Sequence, residues 1–577
     1  MASPQPTLVE ESLQAAAPEV QQAKGLEDQT NYVPIRKIVS IFVSCAITEF
    51  TTLLDETMIA VALPQISSEL GGGNQIAWVA TSYFVTSTSF QLVCGRLSDI
   101  WSRKTVLFVL MVIFSIGNLR RGFRHGLCGT VGFQSGMSSC LSALRALFLL
   151  LVSQIAGIGG GGIPTIAQVI VSDTVSLRDR GKYQGILGAA VALSYGVGPV
   201  IGGAIVERTT WRWIFRLLLP LTAFSAVCCY FFMPLKPVES NWRVKLRRID
   251  FMGSFLVLGS SMLIVMALTW GGSSYPWDNA HVLATGCIGI VLGIAFIVWE
   301  GKWPKYPLLP LYIFRQRIVI GAAVTHFING YLTMVQVFYV PSFYQLAYGY
   351  SPTKSAAFML TLTVMQTFMS SFSGLVISWT GRYRELILTG WAVWAVGLGL
   401  FSTLDENSSV ARQVGYSLLA GFGVGQTLQP SLVAVQGAVE RKDMAVVTAT
   451  RSFVRNIGGT FGLAISGTLL TNIFMSNLDR VSSEANLDPL IREKLRENPL
   501  AARTLVTDPD QLALIVDGYR EGFWVIFVIM ASLASVAFVF TAVFMTHSSL
   551  KRDDDEKLKR EARERLEREK TGSTGSV

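Results

Sequence analysis

Fourteen apolar segments recur along this 577-residue chain, at residues 38–62, 77–94, 106–119, 141–171, 184–206, 214–235, 251–269, 282–299, 318–344, 355–379, 386–404, 414–439, 445–474 and 523–545. The hydrocarbon core of a bilayer takes about 20 residues of helix to cross. Inside it a chain segment must satisfy its own backbone N–H and C=O groups, which a helix does internally. The expected fold class is therefore all-α and polytopic, with about fourteen transmembrane helices. Composition agrees: 15% of residues are charged and 51% hydrophobic, with a mean hydropathy of +0.45. A soluble domain carries about a quarter charged residues.

An even number of spans puts both tails on one side. Cations concentrate in alternate loops, at Arg96, Arg103 and Lys104, at Arg178, Arg180 and Lys182, around Arg243 to Arg248, at Arg315 and Arg317, at Arg382 and Arg384, and at Arg441 and Lys442. Loops 63–75 and 271–281 hold no Lys or Arg. Basic loops stay cytosolic, so both tails are expected in the cytosol. The net charge of +9 then reflects orientation in an anionic leaflet, and no nucleic-acid partner is implied. Residues 1–37 are polar and acidic and read as a disordered cytosolic tail with no cleavable signal. The expected division continues as a six-helix half at 38–235, a loop with two inserted helices at 236–317, a second six-helix half at 318–546 and a charged cytosolic tail at 547–577. Residues 475–522, within the second half, read as a long, partly helical, non-cytosolic loop. The seven cysteines are scattered and form neither a metal spacing nor a disulfide framework.

One stretch breaks the pattern. Residues 120–140 bring Arg120, Arg121, Arg124 and His125 to a loop expected to be short and uncharged, after an apolar segment of only about 14 residues. A genuine basic loop and a flawed gene model, such as a retained intron, both fit. The abrupt return of the normal pattern near Leu147 favours the second.

Several residues stand out on chemical grounds. The turn Gly95-Arg96-Leu97-Ser98-Asp99-Ile100-Trp101-Ser102-Arg103-Lys104 packs three cations and an acid between two spans. Gly95 admits a close helix approach, and Asp99 can cap a helix or pair with arginine. Residues 374–384 echo it, keeping the first glycine and the basic pair but placing Ser378 where Asp99 stands. Glu49, Asp55 and Glu56 lie in or near the first span, where a charge usually faces a cavity or a partner. Glu49 and Glu56 share a face that Asp55 does not. Gly198 and Gly202 lie four apart on one helix face beside Pro199, which permits a bend next to a close-packed seam. Plain small-residue packing is the bland alternative. Arg451 and Arg455 share a face and need acids or an anionic ligand if buried, or else snorkel to the interface. His326 offers a proton relay, although a lone histidine is more often a packing residue. Gln336, Gln366, Gln426 and Gln429 supply neutral polar groups, and abundant Trp and Phe suffice for an apolar pocket. No nucleotide, metal or protease motif occurs, so neither a cofactor nor enzyme activity is expected.

These motifs resemble those of the major facilitator superfamily, and within it the fourteen-spanner drug:proton antiporter branch, especially its fungal members. The turn at 95–104 resembles G-x-L-x-D-x-x-G-R-K, with Ser102 in place of glycine. Leu54-Asp55-Glu56-Thr57 through Pro64 resembles the first-helix L-D-x-T-I-V-x-x-A-L-P. The stretch containing Gly196, Gly198, Pro199, Gly202 and Gly203 is similar to the antiporter motif, slightly shortened, and Trp211 to Phe215 to the W-R-W-x-F after it. Gly157, Gly159 and Pro164 fall in a helix-4 pattern whose arginine is replaced here by Ser153, with Arg145 no straightforward substitute. Fungal exporters and vacuolar basic amino acid transporters both share segments like Arg455-Asn456-Ile457-Gly458-Gly459. The resemblance implies two six-helix halves plus two central helices, and alternating access by a monomer. It implies proton-coupled efflux of drugs or toxins, with Asp55 the leading proton carrier and residues 95–104 a conformational gate. The partners would be protons, a small-molecule substrate and the bilayer, at the plasma membrane in preference to the vacuole. Vacuolar transport of basic amino acids is the runner-up. A transport-fold nutrient sensor is the reading from another class, and the short C-terminal tail speaks against it.

Overall fold

The computed structural model describes residues 35–70, 77–122, 138–175, 177–233, 243 and 248–546, with breaks at 273–274, 406, 441–442 and within 485–507. Among the described residues are fourteen long helices. They are α1 (Ile35–Leu70), α2 (Ala77–Ile100), α3 (Arg103–Gly122), α4 (Ser138–Thr174), α5 (Leu177–Arg208), α6 (Arg212–Phe232), α7 (Phe251–Trp270), α8 (Ala280–Lys302), α9 (Arg317–Tyr348), α10 (Pro352–Thr380), α11 (Arg384–Phe401), α12 (Val410–Ala438), α13 (Met444–Glu484) and α14 (Pro509–Phe544). A short 3-10 turn, Leu311–Arg315, precedes α9. Twelve of the helices are long and apolar enough to cross a membrane by length and composition. The other two, α2 and α3, flank the charged turn and carry its hydroxyls and cations.

Each apolar segment becomes one helix, and polar residues lengthen several. α3 reaches 20 residues because Arg103, Lys104, Arg120 and Arg121 join its ends. α13 runs on to Glu484, and α14 starts at Pro509 behind the capping carboxylate of Asp508. Much of the loop expected at 475–522 is therefore helix. The extensions hold because they pack on each other: the Phe474 and Tyr519 rings stack at 4.1 Å, and Asn477 Nδ2 donates to Glu521 Oε2 at 3.3 Å. Residues 1–34, 123–137 and 547–577, which include the C-terminal tail, most of the irregular basic stretch and all of the expected N-terminal tail except residues 35–37, which begin α1, lie outside the described residues.

Helices α1–α6 form one group and α9–α14 a second, each with its own buried apolar core. The groups meet along two seams, α5 on α10 and α2 on α13. Small residues make both seams possible. A Cβ on Gly185 would lie 2.8 Å from Ser370 O, and one on Gly181 2.9 Å from Gly374 O. Gly95 lies against Ala449 in the same way. The inserted pair, α7 and α8, pack on each other and dock through α7 on α2 and α13. Asp250 caps α7 by accepting from Gly253 N at 2.7 Å and also accepts from Trp299 Nε1 at 3.1 Å. Glu300 accepts from the backbone N–H of Leu308 at 3.2 Å, which turns the chain back toward α9.

The internal echo has a structural counterpart. Lys104, at the start of α3, donates to the carbonyls of Tyr230 and Met233 at the end of α6, at 3.0 and 2.9 Å. Arg384, at the start of α11, donates to Ala542 O near the end of α14 at 2.8 Å. Both cations neutralise helix C-termini, whose last carbonyls have no intrahelical donor.

Candidate functional site

A small cavity lies between the two groups, lined from α1, α2, α4, α5, α12 and α13. Polar side chains dominate its wall, in contrast to the apolar pocket that abundant aromatics suggested. Glu49 and Glu56 reach it from α1, Gln91 from α2, Gln168 from α4, Tyr195 from α5, and Arg451 and Arg455 from α13.

These side chains are wired together across the two groups of helices. Glu49 Oε1 accepts from Gln168 Nε2 at 2.9 Å. Gln168 Oε1 accepts from Arg451 Nη1 at 2.8 Å. Arg451 Nε donates to His326 Nε2 at 2.8 Å, and His326 Nδ1 lies 2.6 Å from Ala322 O. An arginine cannot accept, so His326 Nε2 is the bare nitrogen and Nδ1 carries the proton. Arg451 Nη2 also donates to Leu428 O at 3.2 Å. Arg455 Nε donates to Asn329 Oδ1 at 3.1 Å, and Asn329 in turn donates to Thr427 Oγ1 at 3.2 Å. Glu49, Gln168, His326 and Arg451 are all buried. Ion partners and hydrogen bonds offset the high cost of burying such charges in a membrane.

The turn at 95–104 forms a compact charged knot at the end of the bundle that carries the basic loops. Arg103 Nη1 pairs with Asp99 Oδ1 at 2.6 Å, and its Nε with Asp173 Oδ2 on α4 at 2.9 Å. Arg103 also donates to Ser98 Oγ at 2.9 Å, and Arg96 pairs with Asp99 at 3.6 Å. The two helix groups are tied at this same end. Gln436 Nε2 on α12 donates to Ser172 Oγ on α4 at 2.6 Å, and Arg180 on α5 reaches Met444 Sδ on α13 at 2.8 Å. Tyr312 O–H donates to Asp443 Oδ1 at 2.6 Å and holds the 3-10 turn to the start of α13. The cavity is thus closed at its basic end.

The other expected residues fall into distinct roles. Asp55 is fully buried and lies outside the cavity lining. Gly198 faces Thr57 and Gly202 faces Met58, so this pair seats α5 on α1, while Gly196 faces Thr363 across the seam to α10. Gly157 packs on Tyr83 and Thr86 of α2, and Gly159 on Leu110 and Phe114 of α3. Pro164 and Gly160 line the cavity, and Gly203 is buried. Ser153, in place of the pattern's arginine, is buried and carries no charge to the site. Gln336 is spent on Trp394 Nε1 at 3.2 Å, and Gln426 on Thr389 at 2.9 Å. Sequence reasoning passed over Gln91, Gln168, Tyr195 and Asn329. The available signal was weak: amides and a phenol inside apolar segments, with nothing local to rank them above the other four glutamines.

A helical membrane fold of two six-helix groups around a polar central cavity, tied shut at one end by side-chain bonds between the groups, is that of a transporter. The sequence profile of the Major Facilitator Superfamily matches residues 45–463, and the chain belongs to that family. It is 31% identical over 522 residues to Citrate exporter 1 of Yarrowia lipolytica, covering 90% of this chain and 74% of that protein. It is 30% identical over 520 residues to the MFS-type efflux pump LUC4 of a Fusarium species, covering 89% and 88%. Among solved structures it resembles the proton:xylose symporter XylE bound to 6-bromo-6-deoxy-D-glucose, with a TM-score of 0.55 at 12% identity over 89% of this chain and 97% of that one.

Proposed function

We propose that the protein is a proton-coupled antiporter that exports small organic compounds from the cytosol by alternating access, as a monomer in the plasma membrane. The observation that carries this reading is Glu49. Its Oε1 is taken by Gln168, whereas its Oε2 is buried in the cavity wall with no hydrogen-bond partner among the described residues. That oxygen accepts either a proton or a donor from a substrate, and the two exclude each other. Exclusion at one atom is the requirement for exchange. Substrate arriving from the cytosol takes Oε2 and discharges the proton; after the cavity turns outward, a proton from the acidic side takes the atom back. Binding at the site shifts the balance of states only through such differential contacts.

The basic end, closed here, is the cytosolic end by the distribution of Lys and Arg. Names of relatives, an efflux pump and a citrate exporter, support the outward direction. The guanidinium pair Arg451 and Arg455 on the facing wall weighs against a basic amino acid as cargo.

The test is accumulation of a labelled compound panel in cells lacking or overproducing the protein, with and without a protonophore. Glu49→Gln keeps the bond to Gln168 and removes the titrating oxygen. Its expected result is loss of pH-driven export of the transported compound, with gradient-free exchange retained. A Glu49→Gln protein that still concentrates substrate against a gradient removes Glu49 from the coupling.

A further inference from the structure

Among the described residues, three buried polar atoms in the cavity wall have no hydrogen-bond partner: Arg455 Nη2, Gln91 Oε1 and Glu49 Oε2. The rest of each side chain is accounted for differently. Arg455 is held through Nε by Asn329 and also bonds the Tyr195 hydroxyl, which leaves Nη2 for the cavity. Arg451, by contrast, spends its guanidinium on His326, Gln168 and Leu428. Glu56 lines the same cavity but makes no ion pair with Arg455 among the described residues. Unsatisfied buried groups of this kind are costly and mark places where a ligand completes the bonding.

The three atoms define the ligand by complementarity. Arg455 Nη2 is a charged donor and calls for an anionic acceptor. Gln91 Oε1 and Glu49 Oε2 are acceptors and call for O–H or N–H donors. Arg451, joined to Glu49 through Gln168, disfavours a cationic donor there. A phosphate would bring a second negative charge toward Glu49 and Glu56, whereas a carboxylate brings one. We infer that the cavity binds a small hydroxylated carboxylate, with the carboxylate on Arg455 and a hydroxyl shared between Gln91 and Glu49. This rests on the export reading for the place of the site, and it narrows the cargo from organic compounds at large to polar organic acids. It also runs against a lipophilic cation, which offers Arg455 Nη2 no anionic acceptor.

The experiment uses the full chain in nanodiscs at pH 7 and reads the ligand-dependent rise in Tm. The probes are 3-hydroxybutyrate, butyrate and 3-aminobutyrate, identical except for the hydroxyl, hydrogen or ammonium at one carbon, with rhodamine 6G as a lipophilic cation. Hydrogen bonds to charged groups make 3-hydroxybutyrate half-saturating at a concentration about 10- to 100-fold below butyrate. Gln91→Leu brings that ratio toward one while leaving butyrate affinity in place, a split that misfolding does not produce. Arg455→Lys weakens both carboxylates together by about tenfold, because ammonium lacks the fork. A tighter 3-aminobutyrate overturns the proposal in favour of a zwitterion. A shift by rhodamine 6G alone, or by no probe at all up to 100-fold above the butyrate range tested, also overturns it. None of these results touches the export reading, which falls or stands on pH-driven transport by Glu49→Gln.

Discussion

Glu49 and Asp55 share one helix and meet different surroundings. Glu49 opens on the cavity beside Gln168, while Asp55 is fully buried outside the lining. A proton carrier must reach the substrate or its water, so the geometry favours Glu49 over the acid that the motif singles out. Asp55→Asn is expected to retain pH-driven export to within about tenfold of wild type, where Glu49→Gln abolishes it, and vesicle flux under an imposed pH gradient measures both. His326 acts through Arg451 and is absent from the lining of the polar cavity between the groups, so it is a positioning residue. His326→Gln offers Arg451 a comparable acceptor, and His326→Leu strands a buried guanidinium donor. The leucine variant should lower Tm and transport, and the glutamine variant should recover part of both. A stranded donor of this kind costs about 1–3 kcal/mol. At this scale the sequence was informative about residue types and uninformative about partners. Both glutamates, both arginines and His326 stood out as charges in apolar segments; Gln168, which connects them, did not.

At the scale of elements, the seam between α5 and α10 depends on missing side chains. A Cβ on Gly374 would collide with the carbonyl of Gly181, a backbone atom that cannot rotate away. Gly374→Val should therefore force the seam apart at an overpacking cost of about 1–3 kcal/mol and stop turnover. On α11, a Cβ added to Gly399 would meet nothing within 4 Å, so Gly399→Ala should be neutral or raise stability by about 0.5–1 kcal/mol. Thermal unfolding of the two variants, read with transport, separates a tight seam from a generic glycine effect. Helix number was legible because a bilayer imposes one length on every span. Helix ends were not, since α13 and α14 continue where polar side chains pair with each other, as Asn477 does with Glu521.

For the whole molecule, we propose that the charged knot at the basic end sets the balance between states. Asp99, Arg103 and Asp173 bind α2, α3 and α4 into one unit, against which α13 rests at Gly95. A charge-assisted contact of this kind is worth about 1.5–3 kcal/mol, or roughly ten- to a hundredfold in a two-state equilibrium. Asp99→Asn should leave insertion intact, slow transport and raise the labelling of a cysteine placed at Ser172 from the basic side. Unchanged labelling and unchanged rate would reduce the knot to a topological anchor. By itself the sequence determined that this chain is helical and membrane-spanning, how many helices it has, and which end carries the cations. Those properties are local: each follows from the length, apolarity or charge of one segment. Only the tertiary structure decided that Glu49, Gln168, Arg451 and His326 form one connected chain, through bonds between residues 119, 283 and 125 positions apart. Helical periodicity places a residue on a face, but which face it meets is set by how fourteen helices pack, and no single segment contains that information.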